Sequence, residues 1–261
     1  MQFVVCKNGV SASVCEHSAL DGVSVEPLHN YINKAIREFE PQAPQRDEAK
    51  SDAGSGAEEL LLSHDKVIEK AIHQFQQEFD QLNSKFTFAS VEVSTLGIDF
   101  LRSHKCPPQS GVQLAIQLAC QRFFGYNPPA LETVSMAHFR KGRVEVHHII
   151  SPAVAHFLEA AKEAENSPKN LRVAFLDAAK AHAKSLSRVG KGKGFSRHLL
   201  ALEWMLREGE EKPKLFDDPV YVSLKPGKVI TSNFTSGWLE GGFFYHVPES
   251  ILVYFEIRDE R

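Results

Sequence analysis

The sequence predicts an α/β protein of the α+β kind, a mixed β-sheet with helices packed on it. Long segments carry helical apolar stripes, short β-branched or aromatic runs lie between them, and no regular strand-helix-strand rhythm links the two. With 261 residues, 43% of them hydrophobic, the chain can bury a sizeable core. A net charge of −3 from 30 basic and 33 acidic residues creates no field that draws the whole molecule to nucleic acid or an anionic membrane, so neither is an expected partner. The first residues, Met1 to Cys6, read directly as a strand, and neither a signal peptide nor a transmembrane segment is expected. Cys6, Cys15, Cys106 and Cys120 lack metal-ligand spacing and suit reduced packing thiols in a cytoplasmic protein.

Taken in order, Phe3-Val4-Val5 and Ser11 to Glu16 flank Asn8-Gly9, the strongest short-range signal for a β-hairpin. A helix from about Val25 to Phe39 follows, with Leu28, Ile32, Ala35 and Ile36 on one face. Pro41 to Glu59 holds no aromatic or branched aliphatic residue and reads as a flexible linker. That division gives residues 1–40, a linker at 41–59, and a larger lobe at 60–261. Beyond the linker, Ile68, Ile72, Phe75 and Phe79 form one helical stripe and Val112, Ile116, Ala119 and Phe123 another. Further helices are expected over Pro152 to Lys162, Asn170 to Leu186 and Arg197 to Arg207. Strands are expected over Phe86 to Val93, Val220 to Leu224, Lys228 to Ser232, Gly242 to His246 and Ile251 to Ile257.

The first segment able to carry chemistry is His17-Ser18-Ala19-Leu20-Asp21-Gly22 at the end of the hairpin. A histidine at a strand end can project into a cleft and accept a proton near neutral pH, while an Asp-Gly turn fixes the chain behind it. The plainer reading is a core histidine beside an ordinary turn. His138, His147, His148 and His156 have no carboxylate or cysteine at ligand spacing, so no metal site is expected. Gly190-Lys191-Gly192-Lys193-Gly194 lacks the spacing of a phosphate-binding loop and reads as a mobile connection before the Arg197 helix.

Several segments together resemble the choline/carnitine O-acyltransferase family. Gly9 to Gly22 and the helix after it resemble that family's active-site histidine region. Gly97 to Gln113 resembles its coenzyme A segment, and Glu132, Ser135, Phe139, Gly142, Arg143 and Glu145 fall at the spacing of its Tyr-Glu-Ser-Ala, Phe and Gly-Arg-Thr-Glu pattern. Gly192 to Leu199 resembles its Gly-x-Gly-x-Asp-Arg-His-Leu segment. Thr231-Ser232-Asn233 stands where it has Ser-Thr-Ser-Gln. These segments keep the family's order along nearly the whole chain.

The resemblance implies a chloramphenicol acetyltransferase-like fold and transfer of an acyl group from a thioester to a hydroxyl. His17 would be the general base, Asp21 its orienting partner, and Ser232 the hydroxyl facing the tetrahedral oxyanion. The alternative for Ser232 is a strand-end serine bonded to backbone. Acceptor contacts would come from Arg197, Val144, Leu131, Thr231 and Asn233, and donor contacts from Arg102, Lys105 and Gln109. No bound cofactor is implied; the co-substrate is acyl-coenzyme A or a phosphopantetheine thioester, with an acyl carrier protein as the partner in the second case.

The chain also departs from the family. Leu131 and Val144 replace a tyrosine and a threonine that hold the acyl-carnitine enzymes' carboxylate, whereas Arg197 is retained. Ile98 replaces one phosphate-facing lysine, Arg102 the other, and Gln109 an aspartate. The family's fold has two similar lobes, and this chain corresponds to the end of the first and most of the second. A complete site would then need an N-terminal lobe or a second chain. The function expected is O-acyl transfer to a small alcohol; the alternative is a non-catalytic lobe that binds an acyl carrier or a partner chain. Fungal polyketide synthases that end in domains resembling this family offer a precedent for the carrier-bound donor.

Overall fold

Asn8-Gly9 turns the chain as its composition requires, because Gly9 takes φ +84, a conformation that strains residues bearing a Cβ. Strands β1 (Gln2–Val5) and β2 (Ser11–Val14) pair antiparallel across it. The computed structural model describes residues 1–39, 65–87, 89–162, 167–225, 227–233, 250–255 and 257. It divides into two compact units, Met1–Glu38 with Ser94–Arg261, and Phe39–Val93.

The smaller unit contributes helix α2 (Lys66–Asn83), started by Asp65, whose carboxylate accepts from the backbone N–H groups of Val67 and Ile68 at 2.9 and 3.0 Å. Its apolar stripe of Ile68, Ile72, Phe75 and Phe79 is exposed.

In the larger unit, helix α1 (Gly22–Glu38) follows the hairpin. Helices α3 (Ile98–Ser103) and α4 (Pro108–Phe124) precede strands β3 (Ala130–Ser135) and β4 (Val144–His148). Helices α5 (Pro152–Lys162), α6 (Pro168–Arg188), α7 (Ser196–Trp204) and α8 (Pro219–Leu224) come next, then strands β5 (Val229–Asn233) and β6 (Ile251–Phe255). The four-stranded sheet runs β4-β3-β5-β6. It is mixed, since β3 pairs antiparallel with β4 but parallel with β5, and β5 parallel with β6. One cluster of Leu101, Leu114, Val154, Phe157, Leu158, Ala174 and Ala178 packs the helices together. A second, of Cys120, Ala130, Ile149 and Val229, joins α4 to the sheet.

Strand alternation sorts the functional candidates. Glu132, His147 and Thr231 occupy neighbouring register positions on the buried face that meets α4 and α6. Leu131, Thr133, Val144 and Ser232 point to the other face.

Several expectations are corrected. Val220 to Leu224 is helix rather than strand, because Asp218 caps it through the N–H groups of Val220 and Tyr221 and Pro219 occupies the first turn. The described residues of 86–93 form no strand. Strands β3 and β4 escape the sequence signal because Glu132, Glu145 and His147 are polar residues on a buried face. The Gly190 to Gly194 connection includes a π-helical turn at Val189–Lys193 broken by non-helical backbone at Lys191 and Gly192, and a Cβ on Gly192 would come within 2.9 Å of the Phe139 ring. The 41–59 linker and the Gly242 to His246 strand lie outside the described residues. No described helix is long and apolar enough to cross a membrane.

Candidate active site

The turn that presents His17 is built by its neighbours. Glu16 closes it, accepting from the Ser18 N–H at 2.8 Å and the Ser18 hydroxyl at 2.5 Å. The backbone carbonyl of Asp21 accepts from the N–H groups of Ser24 and Val25 and so starts α1. Ser13 of β2 lies 2.7 Å from His29 Nε2, tying the hairpin to that helix. The Asp21 carboxylate sits 3.4 Å from His17 Nδ1, with the histidine side chain half exposed and the aspartate nearly buried.

Arg143, just before β4, grips this turn from across the chain. Its guanidinium donates twice to the Asp21 carboxylate, at 3.0 and 2.9 Å, and also to the backbone carbonyls of His17, Ser18 and Leu20. A planar fork with five donors can do this, and a lysine cannot. The Asp21 hydrogen bonds and charge hold the arginine's pKa above its ordinary value. Sequence reasoning had Arg143 only as part of a pattern; Asp21 lies 122 residues away, so the contact leaves no local signal.

Glu145 organises the entry to α7. Its carboxylate accepts from the Arg197 N–H at 3.1 Å and from the Val146 N–H at 2.7 Å. A Cβ on Gly194 would fall 2.5 Å from Glu145 Cγ, so glycine is what lets the chain pass this close. His148 hydrogen-bonds Ser196 at 2.9 Å and stacks on Phe195, with ring planes 4° apart. Burial and the nearby His147 lower the His148 pKa, outweighing the pull of Glu145, so this ring is neutral at neutral pH.

Behind the sheet lies a polar group that the sequence did not reveal. Glu132 accepts from the side-chain amides of Gln109 and Gln113 at 2.5 and 2.8 Å and meets His147 Nδ1 at 3.2 Å and His182 Nε2 at 3.1 Å. Gln113 reaches on to the Thr231 hydroxyl at 2.7 Å. Burial pushes the Glu132 pKa up, but the bonds from His147 and Gln109 and the approach of the His182 imidazole outweigh it and bring the carboxyl to about 2. Contrary to the sequence expectation, His147 therefore has a carboxylate partner. Glu132, His147 and His182 could face a common cation, but both carboxylate oxygens are already met by amide or imidazole groups. The group is explained as an internal hydrogen-bond network.

The other expected residues divide. Ser232 is half-buried on β5 with its Oγ 3.0 Å from Thr133 Oγ1. Thr231 faces the opposite way and is fully buried, donating to the Leu131 carbonyl at 3.2 Å, so it braces the sheet. Asn233 shares that parity and is half-buried. Leu131 is buried beneath Gly227 and Val144 is half-buried, while the Arg197 side chain is exposed. Arg102 and Lys105 are exposed where α3 ends, with Lys105 in the left-handed conformation at φ 59. Gln109 is committed to Glu132.

The family model for choline/carnitine O-acyltransferases matches residues 1–261. The chain belongs to the choline/carnitine O-acyltransferase family. It is 27% identical to the mitochondrial carnitine O-palmitoyltransferase 2 of Xenopus tropicalis over 98% of this chain and 40% of that protein. Identity is 32% to highly reducing polyketide synthase 17 of Metarhizium anisopliae, over 83% of this chain and 7% of the synthase. The mitochondrial carnitine O-acetyltransferase of Saccharomyces cerevisiae is 26% identical over 92% of this chain and 36% of its own length. The chain thus spans 40% of the length of the carnitine palmitoyltransferase it matches and far less of the synthase. Family membership agrees with the mixed sheet and packed helices.

Proposed function

We propose that this chain carries the general base and oxyanion donor of an O-acyltransferase that moves an acyl group from a thioester to a small alcohol. The observation that carries this reading is the approach of the Asp21 carboxylate to His17 Nδ1, with Arg143 bridging Asp21 and the turn. A carboxylate beside Nδ1 favours the proton there and the lone pair on Nε2. His17 Nε2 then takes the proton of the acceptor hydroxyl as its oxygen attacks the thioester carbonyl carbon. The tetrahedral oxyanion is met by the Ser232 hydroxyl. Its collapse breaks the carbon–sulfur bond, the thiolate takes the proton back from His17, and an ester and a free thiol remain.

Arg102 and Lys105, exposed at the end of α3, are the cations available to a donor phosphate. The donor is coenzyme A or carrier-bound phosphopantetheine, and the similarity to polyketide synthases supports including the carrier. Four free cysteines suit a reducing, cytoplasmic setting. A second reading, a lobe that binds an acyl carrier without transfer, is favoured by Leu131 and Val144, which offer no side-chain donor to an acceptor.

The test is turnover of short and medium acyl thioesters with a panel of alcohols by the wild type and His17→Ala, both in the full-length context. A loss of at least about 10²-fold with unchanged folding is expected for a missing general base. Turnover of His17→Ala at the wild-type rate removes His17 from the mechanism, and a wild type that binds an acyl carrier but transfers nothing supports the second reading.

A further inference from the structure

We propose that Thr133 is a positioning residue that sets the direction of the Ser232 hydroxyl proton; the inference rests on the reading of Ser232 as the oxyanion donor. The parallel register of β3 and β5, with Glu132 beside Thr231, brings Thr133 and Ser232 side by side on the face away from α4. Their hydroxyl oxygens are 3.0 Å apart, and once the Ser232 proton is given to the oxyanion, Thr133 is the donor of the bond between them.

A serine hydroxyl has one proton and two lone pairs. With one lone pair taken by Thr133, the Ser232 proton points away from Thr133. A donor aimed before reaction begins is worth more than one that must turn, because no reorganisation is needed as charge develops.

Both partners of the pair are held. Threonine is β-branched, so its χ1 is restricted and its hydroxyl keeps its place. On the opposite face Thr231 is bonded to Gln113 and to the Leu131 carbonyl, which stops β5 from sliding along β3 and carrying Ser232 off register. Without the Thr133 hydroxyl, Ser232 can turn its proton to a nearby backbone carbonyl, the habit of short hydroxyl side chains.

The test is a double-mutant cycle with Thr133→Val, Ser232→Ala and both together, with Thr133→Ser as the conservative variant. Thr133→Val should lower kcat about 10-fold, part of the loss typical of a removed oxyanion donor, with little change in KM for the thioester. Thr133→Ser should restore most of it. In the Ser232→Ala background Thr133→Val should cost nothing more. If Thr133→Val does not fold, Thr133→Cys, close in size but a poor donor, is read by the same criterion. Wild-type kcat in the variant, or a full additional loss in the Ser232→Ala background, overturns the inference. Wild-type kcat in Ser232→Ala alone would instead overturn the reading of Ser232 as the oxyanion donor, so the two failures are distinct.

Discussion

Arg143 is the residue on which the His17 turn depends, and nothing next to it in sequence says so. Its guanidinium neutralises a nearly buried Asp21 and ties down three backbone carbonyls between His17 and Leu20. Arg143→Met should therefore leave Asp21 without its cation and loosen the turn. We expect turnover to fall at least about 10-fold, because the charge-assisted hydrogen bonds that hold the turn are lost together. Arg143→Lys should recover little, since an ammonium cannot span the carboxylate and the carbonyls together. Steady-state kinetics beside a thermal melt check this. Wild-type kcat in Arg143→Met would show that the turn holds itself.

At the scale of elements, the entry to α7 is fixed by a glycine and a carboxylate. Glu145 on β4 accepts from the Arg197 N–H, and Gly194 leaves room for it to do so. Gly194→Ala places a methyl group against Glu145 Cγ and must move either the carboxylate or the turn. Overpacking of this kind costs about 1–3 kcal/mol. The melting temperature should fall accordingly, and binding of an acceptor that uses Arg197 should weaken. Gly190→Ala, where a Cβ meets nothing within 4 Å and φ is ordinary, is the control that should leave both unchanged. Equal losses in the two variants would mean that the turn needs backbone freedom rather than space beside Glu145.

Across the whole molecule, the Glu132 network joins α4, α6 and the sheet, and it gives stability a pH dependence of known sign. The folded carboxyl titrates at about 2, below its ordinary value of 4.5. A depressed carboxyl stabilises the fold fully above its unfolded pKa and loses that contribution as pH falls through the folded one. The difference, on the order of 3 kcal/mol, should be present at neutral pH and disappear between about pH 4.5 and 2. Thermal melts of the wild type and Glu132→Gln over this range provide the measurement. The gap between them should be wide at pH 6 and narrow toward pH 2; a gap independent of pH would mean that Glu132 acts by shape alone.

The sequence by itself determined the elements whose cause is local. Asn8-Gly9 forces a turn, Pro152 to Lys162 carries its own helical stripe, and the alternating Ile251 to Phe255 reads as the strand it is. The ordered motifs also led to the family, and with it to His17, Asp21 and Ser232 as candidates. Tertiary structure decided what depends on partners distant in the chain. Arg143 meets Asp21 from 122 residues away, and Gln113 meets Thr231 from 118. The polar residues of β3 and β4 look wrong for a buried strand until Gln109, Gln113 and His182 are brought against them. Thr133 beside Ser232 is likewise a product of strand register, which is set by packing and invisible to the residues on either side.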